Sequence, residues 1–503
     1  MAGRIKGLMK DTAIYGIANM LGRFLNWALF PLYINRLPSP KDYGIVTNLY
    51  AWTALALILL TYGMETGFFR FINKGPNPHK VYANTLRCLG FTSSVFVILG
   101  LLFLHPIASQ MGYGATPELV GMLMVIVAID AFSSIPFAYL RHTNRPIRFA
   151  AIKLGYILLA VGLNLFFLIL CPWLIKGSLA STISWFYQPD YGVGYIFVSN
   201  LIANIILLLV LIPDMRPAKG PFDFSLIRNM LRYSLPFVLL GIAGSFNQMA
   251  DKILFPYIFD DMDYANHQLG IYSAGFKIAI VIVMFTQAFR FAYEPFIFKK
   301  KKGEDAQDRK VYAEVMHYYI IVSLLIYVGV LAYLDLIKVI ITIPPAYIEG
   351  LKVVPLVMVG EIFFGIYYNL SIWYKLTDRA IWGALLSTLG CAFTLLFILL
   401  GAPRYGFMAC AWACVVSYGV MMIASYLLGQ KYYPIPYRLR PALLYLLVAV
   451  GLTTLIEITQ TYVVSIWGRL FINSLIMGLF ILVILVKEPA LKQISYFRKS
   501  PLK

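Results

Sequence analysis

The chain has 503 residues, of which 60% are hydrophobic, 16% aromatic and only 13% charged, and its mean hydropathy is +0.76. A soluble domain carries about a quarter charged residues, and its apolar residues form stripes instead of blocks of about 20. The composition therefore excludes a soluble globular protein and predicts a polytopic membrane protein, within which the formal charge of +19 has to be explained.

Crossing the hydrocarbon core takes about 20 apolar residues in a helix, because every backbone polar group must be bonded within the segment. By this criterion the sequence predicts an all-α integral membrane fold with about 14 transmembrane helices. The predicted segments are 12–36, 43–72, 82–105, 118–141, 147–171, 193–213, 232–257, 267–297, 312–336, 351–376, 380–401, 405–428, 440–459 and 468–486. The connecting loops are short, so no soluble domain is expected.

The basic residues alternate between the two sides of the predicted membrane. Of the 42 lysines and arginines, 30 fall in the two termini and the alternate loops that share their side, 6 in the opposite loops and 6 within segments. We call the side with 30 the basic side. The positive-inside rule identifies it as the cytoplasm, so both termini are predicted to be cytoplasmic. The net charge then reflects topology and attraction to anionic lipid, and no nucleic-acid partner is expected.

A short motif recurs about 225 residues apart along the chain. Leu-Phe-Pro at 29–31 precedes Tyr-Gly-Ile at 43–45, and Leu-Phe-Pro at 254–256 precedes Leu-Gly-Ile at 269–271. The repeat predicts two six-helix lobes, 1–214 with helices 1–6 and 215–430 with helices 7–12, followed by helices 13–14 and a cytoplasmic tail in 431–503. Parallel repeats of this kind are a known transporter plan, with the substrate cavity between the lobes.

We treat twelve ionisable residues as lying within the membrane, where a charge costs about 2.5–3.5 kcal/mol on insertion scales, and we count the other charged residues within the segment bounds with the adjoining loops. Six are near segment ends and can extend to the interface; these are Arg70, Asp251, Lys252, Glu294, Glu457 and Arg469. Six lie deeper; these are Arg23, Glu65, Asp130, Lys277, Arg290 and Glu361. Because the deep set is large and spread over different helices and depths, we expect it to line a polar cavity.

Three members of the deep set are cations. Arg23, Lys277 and Arg290 would attract an anion in a low-dielectric setting, and arginine offers a fork that matches phosphate oxygens. The deep acids could neutralise that charge in an empty site or bind H⁺ or Na⁺ as coupling groups; they are Glu65, Asp130 and Glu361. The five cysteines are scattered and no GxxxxGK[ST] loop is present, so no metal site, catalytic residue or nucleotide cofactor is predicted.

Four stretches carry a resemblance to a known family. They are a short basic N-terminus before a helix with Arg23 at its middle, LFPLYINRLPSPKDYGI at 29–45, YGMETGFFRF at 62–71 and LGIYSAGFKIA at 269–279. Together they resemble the polysaccharide transporter family of bacterial oligosaccharide flippases, over the whole chain in length and helix count. This family is part of the multidrug/oligosaccharidyl-lipid/polysaccharide exporter superfamily.

The resemblance implies a fourteen-helix flippase that is not an enzyme. Such a protein moves undecaprenyl-diphosphate-linked oligosaccharide from the inner to the outer leaflet of the bacterial cytoplasmic membrane by alternating access. By helix position, the cations for the diphosphate would be Arg23 and Arg290, with Lys277 as a further candidate. The implied partners are the lipid-linked oligosaccharide and membrane lipids, and polysaccharide assembly enzymes are further candidates.

Three alternatives stay open. A lipid II flippase shares the diphosphate carrier. A cation-coupled multidrug exporter of the same superfamily should have acids dominating its cavity, whereas the deep cations and acids here balance. A membrane glycan polymerase or ligase should carry a large outer loop with catalytic side chains, and the outer loops here are short.

Overall fold

A computed structural model describes residues 16, 20–74, 77–177, 180–299, 306–377, 379 and 381–488. Within these ranges the secondary structure is helical, and they contain no strand. Twelve helical stretches among them are long and apolar enough to cross a membrane. The chain is therefore a multi-pass, all-helical membrane protein, which confirms the fold class expected from composition.

Twelve of the fourteen predicted segments coincide with these spans. The spans are Pro40–Lys74, Pro78–Leu102, Pro117–His142, Pro146–Leu174, Pro189–Met215, Met262–Phe291, Asp308–Ala332, Pro345–Leu376, Ile381–Tyr405, Met408–Tyr432, Leu439–Tyr462 and Ile466–Lys487. The seventh predicted segment lies in a helix over Phe224–Leu254. The first is helical over 20–28 and Phe30–Arg36, and most of its earlier part lies outside the described residues. The cytoplasmic placement of the termini stays a prediction.

The chain divides into two compact units. Unit 1 comprises Met1–Ala274 and Thr394–Cys410, and unit 2 comprises Gly275–Phe393 and Ala411–Lys503. These boundaries fall inside helices and differ from the predicted lobe boundaries, so the two six-helix lobes stay a prediction.

Unit 1 holds most of the helices of the first half of the chain. They are α1 (Phe30–Arg36), α2 (Pro40–Thr61), α3 (Met64–Lys74), α4 (Pro78–Leu102), α5 (Leu104–Gln110), α6 (Pro117–His142), α7 (Pro146–Leu165), α8 (Cys171–Leu174), α9 (Ala180–Ile183), α10 (Gly192–Met215) and α11 (Phe224–Leu254). A π-helical turn, Phe166–Leu170, joins α7 to α8.

The remaining helices lie wholly or partly in unit 2. They are α12 (Met262–Lys299), α13 (Ala306–Ala332), α14 (Leu334–Ile341), α15 (Val354–Leu370), α16 (Ile372–Leu376), α17 (Ile381–Tyr405), α18 (Met408–Tyr432), α19 (Leu439–Tyr462) and α20 (Ile466–Lys487). The unit boundaries cut α12, α17 and α18.

Proline sets the start of four successive spans. Pro40, Pro78, Pro117 and Pro146 each occupy the first position of a helix, namely α2, α4, α6 and α7. The first helical position suits proline because its missing N–H would have no partner within the helix there, and its fixed φ is already helical. These prolines therefore mark where each of the four helices begins.

The second predicted segment is broken at Tyr62 and Gly63. Both residues have positive φ, +35° and +67°, and they separate α2 from α3. The Tyr62 hydroxyl lies 3.2 Å from Cys88 Sγ and 3.2 Å from Thr92 Oγ1 on α4. One apolar run thus contains two helices, and α3 begins just before Glu65.

The helices α2 and α12 touch through two glycines. A Cβ on Gly44 would collide with the backbone carbonyl of Asn266, and a Cβ on Gly270 would collide with that of Pro40. Nearby, the buried Asn48 amide donates to the Lys252 carbonyl at 2.7 Å. The two glycines belong to the repeated motif, and the contact explains why each must lack a side chain.

On the basic side of unit 1, a pair of stacked tyrosine rings and a bidentate ion pair hold the helix ends together. The rings of Tyr82 and Tyr139 stack with centroids 4.1 Å apart, which joins α4 to α6. Tyr82 donates to the Asp214 carbonyl at 3.0 Å, and Arg148 donates to both carboxylate oxygens of Asp214 at 2.7 and 2.8 Å. These contacts fix the end of α6 that carries Arg141.

The start of α11 carries a charge pair that predicts a pH-dependent stability. Asp223 caps the helix by accepting from the Leu226 amide at 2.9 Å, and Lys80 donates to it at 2.7 Å. The Lys80 ammonium, followed by the backbone amide, holds the pKa of the Asp223 carboxyl below its ordinary value. This contribution is present above the ordinary carboxyl pKa of about 4 and is lost as the pH falls through the lowered pKa.

We expect wild type to unfold at a higher temperature than Asp223→Asn at pH 7, and the difference to shrink on acidification. Asparagine still caps a helix, so the variant isolates the charge. The measurement is thermal unfolding in detergent over a pH series. A difference that stays constant as the pH falls would contradict the argument.

Candidate functional site

The deep charges of unit 1 interact with a lysine that the sequence analysis counted with a loop of the basic side, although it lies within the fifth predicted segment. Lys153 lies two turns into α7, is half-buried, and interacts electrostatically with Asp130 on α6. It also interacts with Arg141 and Arg23, both as like charges. Two of the six predicted site residues, Arg23 and Asp130, thus belong to one charge group with Lys153.

Glu65, a third predicted site residue, reaches the same group through Arg141. The Arg141 guanidinium and the Glu65 carboxylate are 2.6 Å apart, and both side chains are partly exposed. The guanidinium also lies over the Phe69 ring, 5.2 Å from its centroid. Glu65 therefore has an ion-pair partner on another helix, α6, and its role as a charge-balancing acid stays a prediction.

Arg70 does not pair with Glu65, as their spacing predicted. Its guanidinium lies over the Tyr233 ring of α11, 3.9 Å from the centroid. On the next turn of α3 towards its start, a Cβ on Gly67 would approach the Ser234 hydroxyl to 2.6 Å. The small residues around Glu65 therefore serve close helix packing against α11.

Uncharged polar side chains surround Asp130. The hydroxyls of Tyr50 and Tyr156 both interact electrostatically with its carboxylate. Each hydroxyl also accepts from an amide of α10, Tyr50 from Asn200 and Tyr156 from Asn204. Asp130 is half-buried in this setting, so unit 1 has a cluster of uncharged polar side chains beside its charge group. We call Arg23, Glu65, Asp130, Arg141 and Lys153 the unit 1 charge group.

The deep cations of unit 2 lie on α12. Arg290 is half-buried, and its guanidinium lies over the Tyr368 ring, 3.8 Å from the centroid. Lys375 shares that ring, with Nζ 4.2 Å from the centroid, and donates to the Tyr368 hydroxyl at 3.3 Å. Lys277 is half-buried further along α12 towards its start.

Glu361, the last predicted acid, is buried on α15. It is 8% exposed and interacts electrostatically with the Tyr319 hydroxyl of α13. That hydroxyl bonds Thr286 of α12 at 2.7 Å, and a Cβ on Gly365 would collide with it. Glu361 thus lies in a tightly packed place within unit 2.

One acid and one cation that were expected to extend to the interface are instead buried. Asp251 and Lys252 are 8% and 9% exposed, and their charged groups lie 2.8 Å apart. The Tyr272 hydroxyl donates to the same carboxylate at 2.6 Å. These side chains do not extend to solvent, because a partner at the adjacent position and a phenol satisfy both charges inside unit 1.

Sequence reasoning missed Lys153, Arg141, Tyr368 and Lys375. The first two were counted with the loop between the fourth and fifth segments. Lys153 already lay two turns inside the predicted segment 147–171, so its depth in that segment is the signal that could have identified it. No sequence signal marks Tyr368, one of 35 tyrosines.

Comparisons with known proteins agree with this architecture. A family model described as polysaccharide biosynthesis protein matches residues 8–301. The chain is similar to a solved structure of the lipid II flippase MurJ in an inward closed conformation, with a TM-score of 0.74 and 13% identity over 95% of this chain and 99% of that chain. No curated protein sequence matches.

A second similar structure is an inward-facing multidrug resistance MATE family transporter of the MOP superfamily. Its TM-score is 0.63 and its identity 13%, over 84% of this chain and 97% of that chain. A MATE structure in the straight conformation gives a TM-score of 0.54 at 12% identity, over 85% and 95% of the two chains. At these identities the likeness shows the shared fold.

Proposed function

Because this chain belongs to the polysaccharide biosynthesis protein family, we propose that it is a flippase for undecaprenyl-diphosphate-linked oligosaccharide. In this proposal it carries the polysaccharide repeat unit from the inner to the outer leaflet of the bacterial cytoplasmic membrane by alternating access. It acts as a transporter and catalyses no covalent step, and its termini face the cytoplasm.

The unit 1 charge group is the observation that carries the proposal. Three cations, Arg23, Arg141 and Lys153, lie within one electrostatic network with two acids, Glu65 and Asp130. The excess of positive charge favours an anion, and two arginine forks suit phosphate oxygens. A diphosphate headgroup needs such cations, whereas its lipid tail can stay in the bilayer.

The acids supply a route for energy coupling in the same proposal. Asp130 lies among tyrosine and asparagine side chains beside Lys153, and Glu361 is buried within unit 2. In this proposal either carboxylate binds H⁺ or Na⁺. A charged carboxylate within the membrane is costly, and binding of a cation during transport neutralises it. Lys277 and Arg290 are the proposed cations of unit 2.

The test is a leaflet assay in liposomes. Purified protein is reconstituted with a fluorescent undecaprenyl-diphosphate oligosaccharide, and a membrane-impermeant reagent reports its exposure under an H⁺ or a Na⁺ gradient. We expect protein-dependent movement that Arg23→Ala slows about tenfold or more, because a hydrogen bond to a charged group contributes about 1.5–3 kcal/mol. The exposed Arg36→Ala, close by in the chain, is the matched control and should move the lipid at the wild-type rate.

The alternatives give different outcomes in the same assay. Faster movement of fluorescent lipid II than of the oligosaccharide carrier would favour the lipid II flippase. Export of a cationic dye, with neither lipid moving, would favour a multidrug exporter. Formation of longer glycans in the presence of the purified protein would favour a polymerase or ligase over a transporter. Unchanged movement with Arg23→Ala would overturn the proposed diphosphate site.

A further inference from the structure

Unit 2 contains a buried acid directly after the end of α20. Glu488 follows Lys487, the last residue of that helix, and is 8% exposed although it lies at the edge of a span. The end of a helix carries the negative pole of its dipole, which disfavours a carboxylate, and burial of a charge without partners is costly. Partners on neighbouring helices must therefore hold Glu488 in this place.

Two side chains from other helices bind the same oxygen of Glu488. His317 Nε2 on α13 lies 2.7 Å from Glu488 Oε1, and the Tyr445 hydroxyl on α19 donates to that oxygen at 2.9 Å. Both side chains are buried. The contact therefore joins three helices of unit 2, and we call His317, Tyr445 and Glu488 the C-terminal triad.

The strength of this contact depends on the charge of His317. An ionised carboxylate only accepts hydrogen bonds, so Nε2 carries a proton in both the neutral and the charged form of the ring. In the charged form the contact is an ion pair, and in the neutral form it is a single hydrogen bond to an anion. Charges inside a protein are screened less than charges in water. Since histidine ordinarily changes charge between pH 5 and 8, we expect a stronger contact at the lower end of that range.

A small cavity borders His317 and the start of α19. Its volume is about 10 Å³, which is room for about one water molecule, and its lining includes Met316, Arg438 and Ala442. The Arg438 side chain is half-exposed, so the cavity lies close to the protein surface. His317 Nδ1 is buried and has no hydrogen-bond partner among the described residues. Water is therefore the ligand that fits both the cavity and this nitrogen.

The other charged or titratable groups around the triad leave His317 as the group that responds to pH. They come from α13, from the segment before α19 and from α20; they are Glu314, Tyr318, Tyr437, Arg438 and Lys487. Arg438 and Glu314 lie 3.4 Å apart at the surface, where their charges balance. Lys487 is exposed. Glutamate, tyrosine, lysine and arginine do not ordinarily change charge between pH 6 and 8.

From this geometry we propose that His317 is a proton site that latches the end of α20 to α13 and α19. With the proton bound, the imidazolium donates from Nε2 to Glu488 and from Nδ1 to a water in the cavity. Loss of the Nδ1 proton to that water, and from there to the solution, leaves one hydrogen bond in place of the ion pair. The pH on the basic side then sets how firmly the end of α20 is held. The proposal goes beyond the proposed function and does not depend on which lipid is moved.

The test is hydrogen–deuterium exchange of the purified full-length protein in detergent. Mass spectrometry reads exchange over residues 480–488 at pH 6 and pH 8, corrected for the intrinsic effect of pH, and reports local opening of the helix end. We expect about fivefold faster corrected exchange at pH 8, because an ion pair becomes a single hydrogen bond. Exchange over Pro78–Leu102, a span of unit 1, should not change with pH after the same correction.

Variants separate the proton site from ordinary packing. His317→Gln keeps a donor without a titrating charge, and Glu488→Gln removes the acid, so exchange in both should lose its dependence on pH. Tyr445→Phe removes the donor that does not titrate in this range, so exchange should be faster at both pH values with an unchanged ratio between them. His105→Gln removes an exposed histidine of unit 1 and should behave as wild type does.

Two results would overturn the proton site. One is corrected exchange in wild type that is equal at pH 6 and pH 8, and the other is a wild-type pH response in Glu488→Gln. If His317→Gln does not fold, Glu488→Gln carries the same test, because it changes a side chain at a helix end and leaves the core of unit 2 in place. Movement of lipid in liposomes enters neither result, so the proposed function is tested separately.

Discussion

Lys153→Met should slow the movement of lipid-linked oligosaccharide in liposomes by at least about tenfold, since a charge-assisted contact to phosphate is worth about 1.5–3 kcal/mol. It should also lower the unfolding temperature. Lys153 interacts with Asp130, Arg141 and Arg23, so its ammonium is the common member of the unit 1 charge group. Methionine fills a similar volume but leaves the half-buried Asp130 with less electrostatic compensation, which is the reason for the lower unfolding temperature.

The double variant Asp130→Asn/Lys153→Met separates stability from transport. Neutralising the acid removes the unpaired charge, so thermal unfolding in detergent should return towards wild type. Movement of the lipid should stay slow, because the phosphate-attracting cation is still missing. A double variant that moves lipid at the wild-type rate would show that Lys153 acts only as the structural partner of Asp130.

Gly270→Ala is expected to destabilise the protein by about 1–3 kcal/mol, the usual effect of forcing an extra carbon into a packed place. The new Cβ would meet the Pro40 carbonyl, which is backbone and can move only if α2 moves as a whole. Gly44→Ala meets the Asn266 carbonyl across the same contact and should behave similarly. The measurement is thermal or denaturant unfolding of the purified protein.

Gly155→Ala is the matched control for this pair. It also lies within a long helix of unit 1, but a Cβ there has no neighbour within 4 Å. Alanine in a helix is favoured over glycine by about 0.5–1 kcal/mol, so this variant should equal or exceed wild type in stability. If Gly270→Ala were as stable as Gly155→Ala, the close contact between α2 and α12 would be refuted.

Hydrophobicity was enough to predict where most helices lie, because apolar runs about 20 residues long have few alternatives in a bilayer. The structure adds that Pro40 and Pro117 are the first residues of two of these helices. The break at Gly63 could not be predicted in this way, because hydropathy does not register two residues of positive φ. Its position depends on contacts with α4 and α11 that only the folded chain supplies.

Depth in a segment was the criterion for the candidate charges, and it did not identify their partners. Glu65 was expected to point towards the protein interior, and its partner Arg141 was counted with a loop. The partner could not be predicted, because the rotation and the length of each helix determine which side chains come into contact. The Tyr-Gly-Ile and Leu-Gly-Ile motifs were recognised in the sequence only as a repeat. Their glycines, Gly44 and Gly270, lie at the same contact between α2 and α12, which gives the repeat a steric explanation.

The break in the second span has an energetic consequence. A tyrosine in the left-handed region costs about 1–2 kcal/mol, a cost that a continuous helix from Pro40 to Lys74 would not carry. The Tyr62 hydroxyl contacts with α4 and the approach of Gly63 to the Ser234 carbonyl hold the span in its bent form. These contacts therefore offset the conformational cost of Tyr62, and their loss would favour a continuous helix across residues 62 and 63.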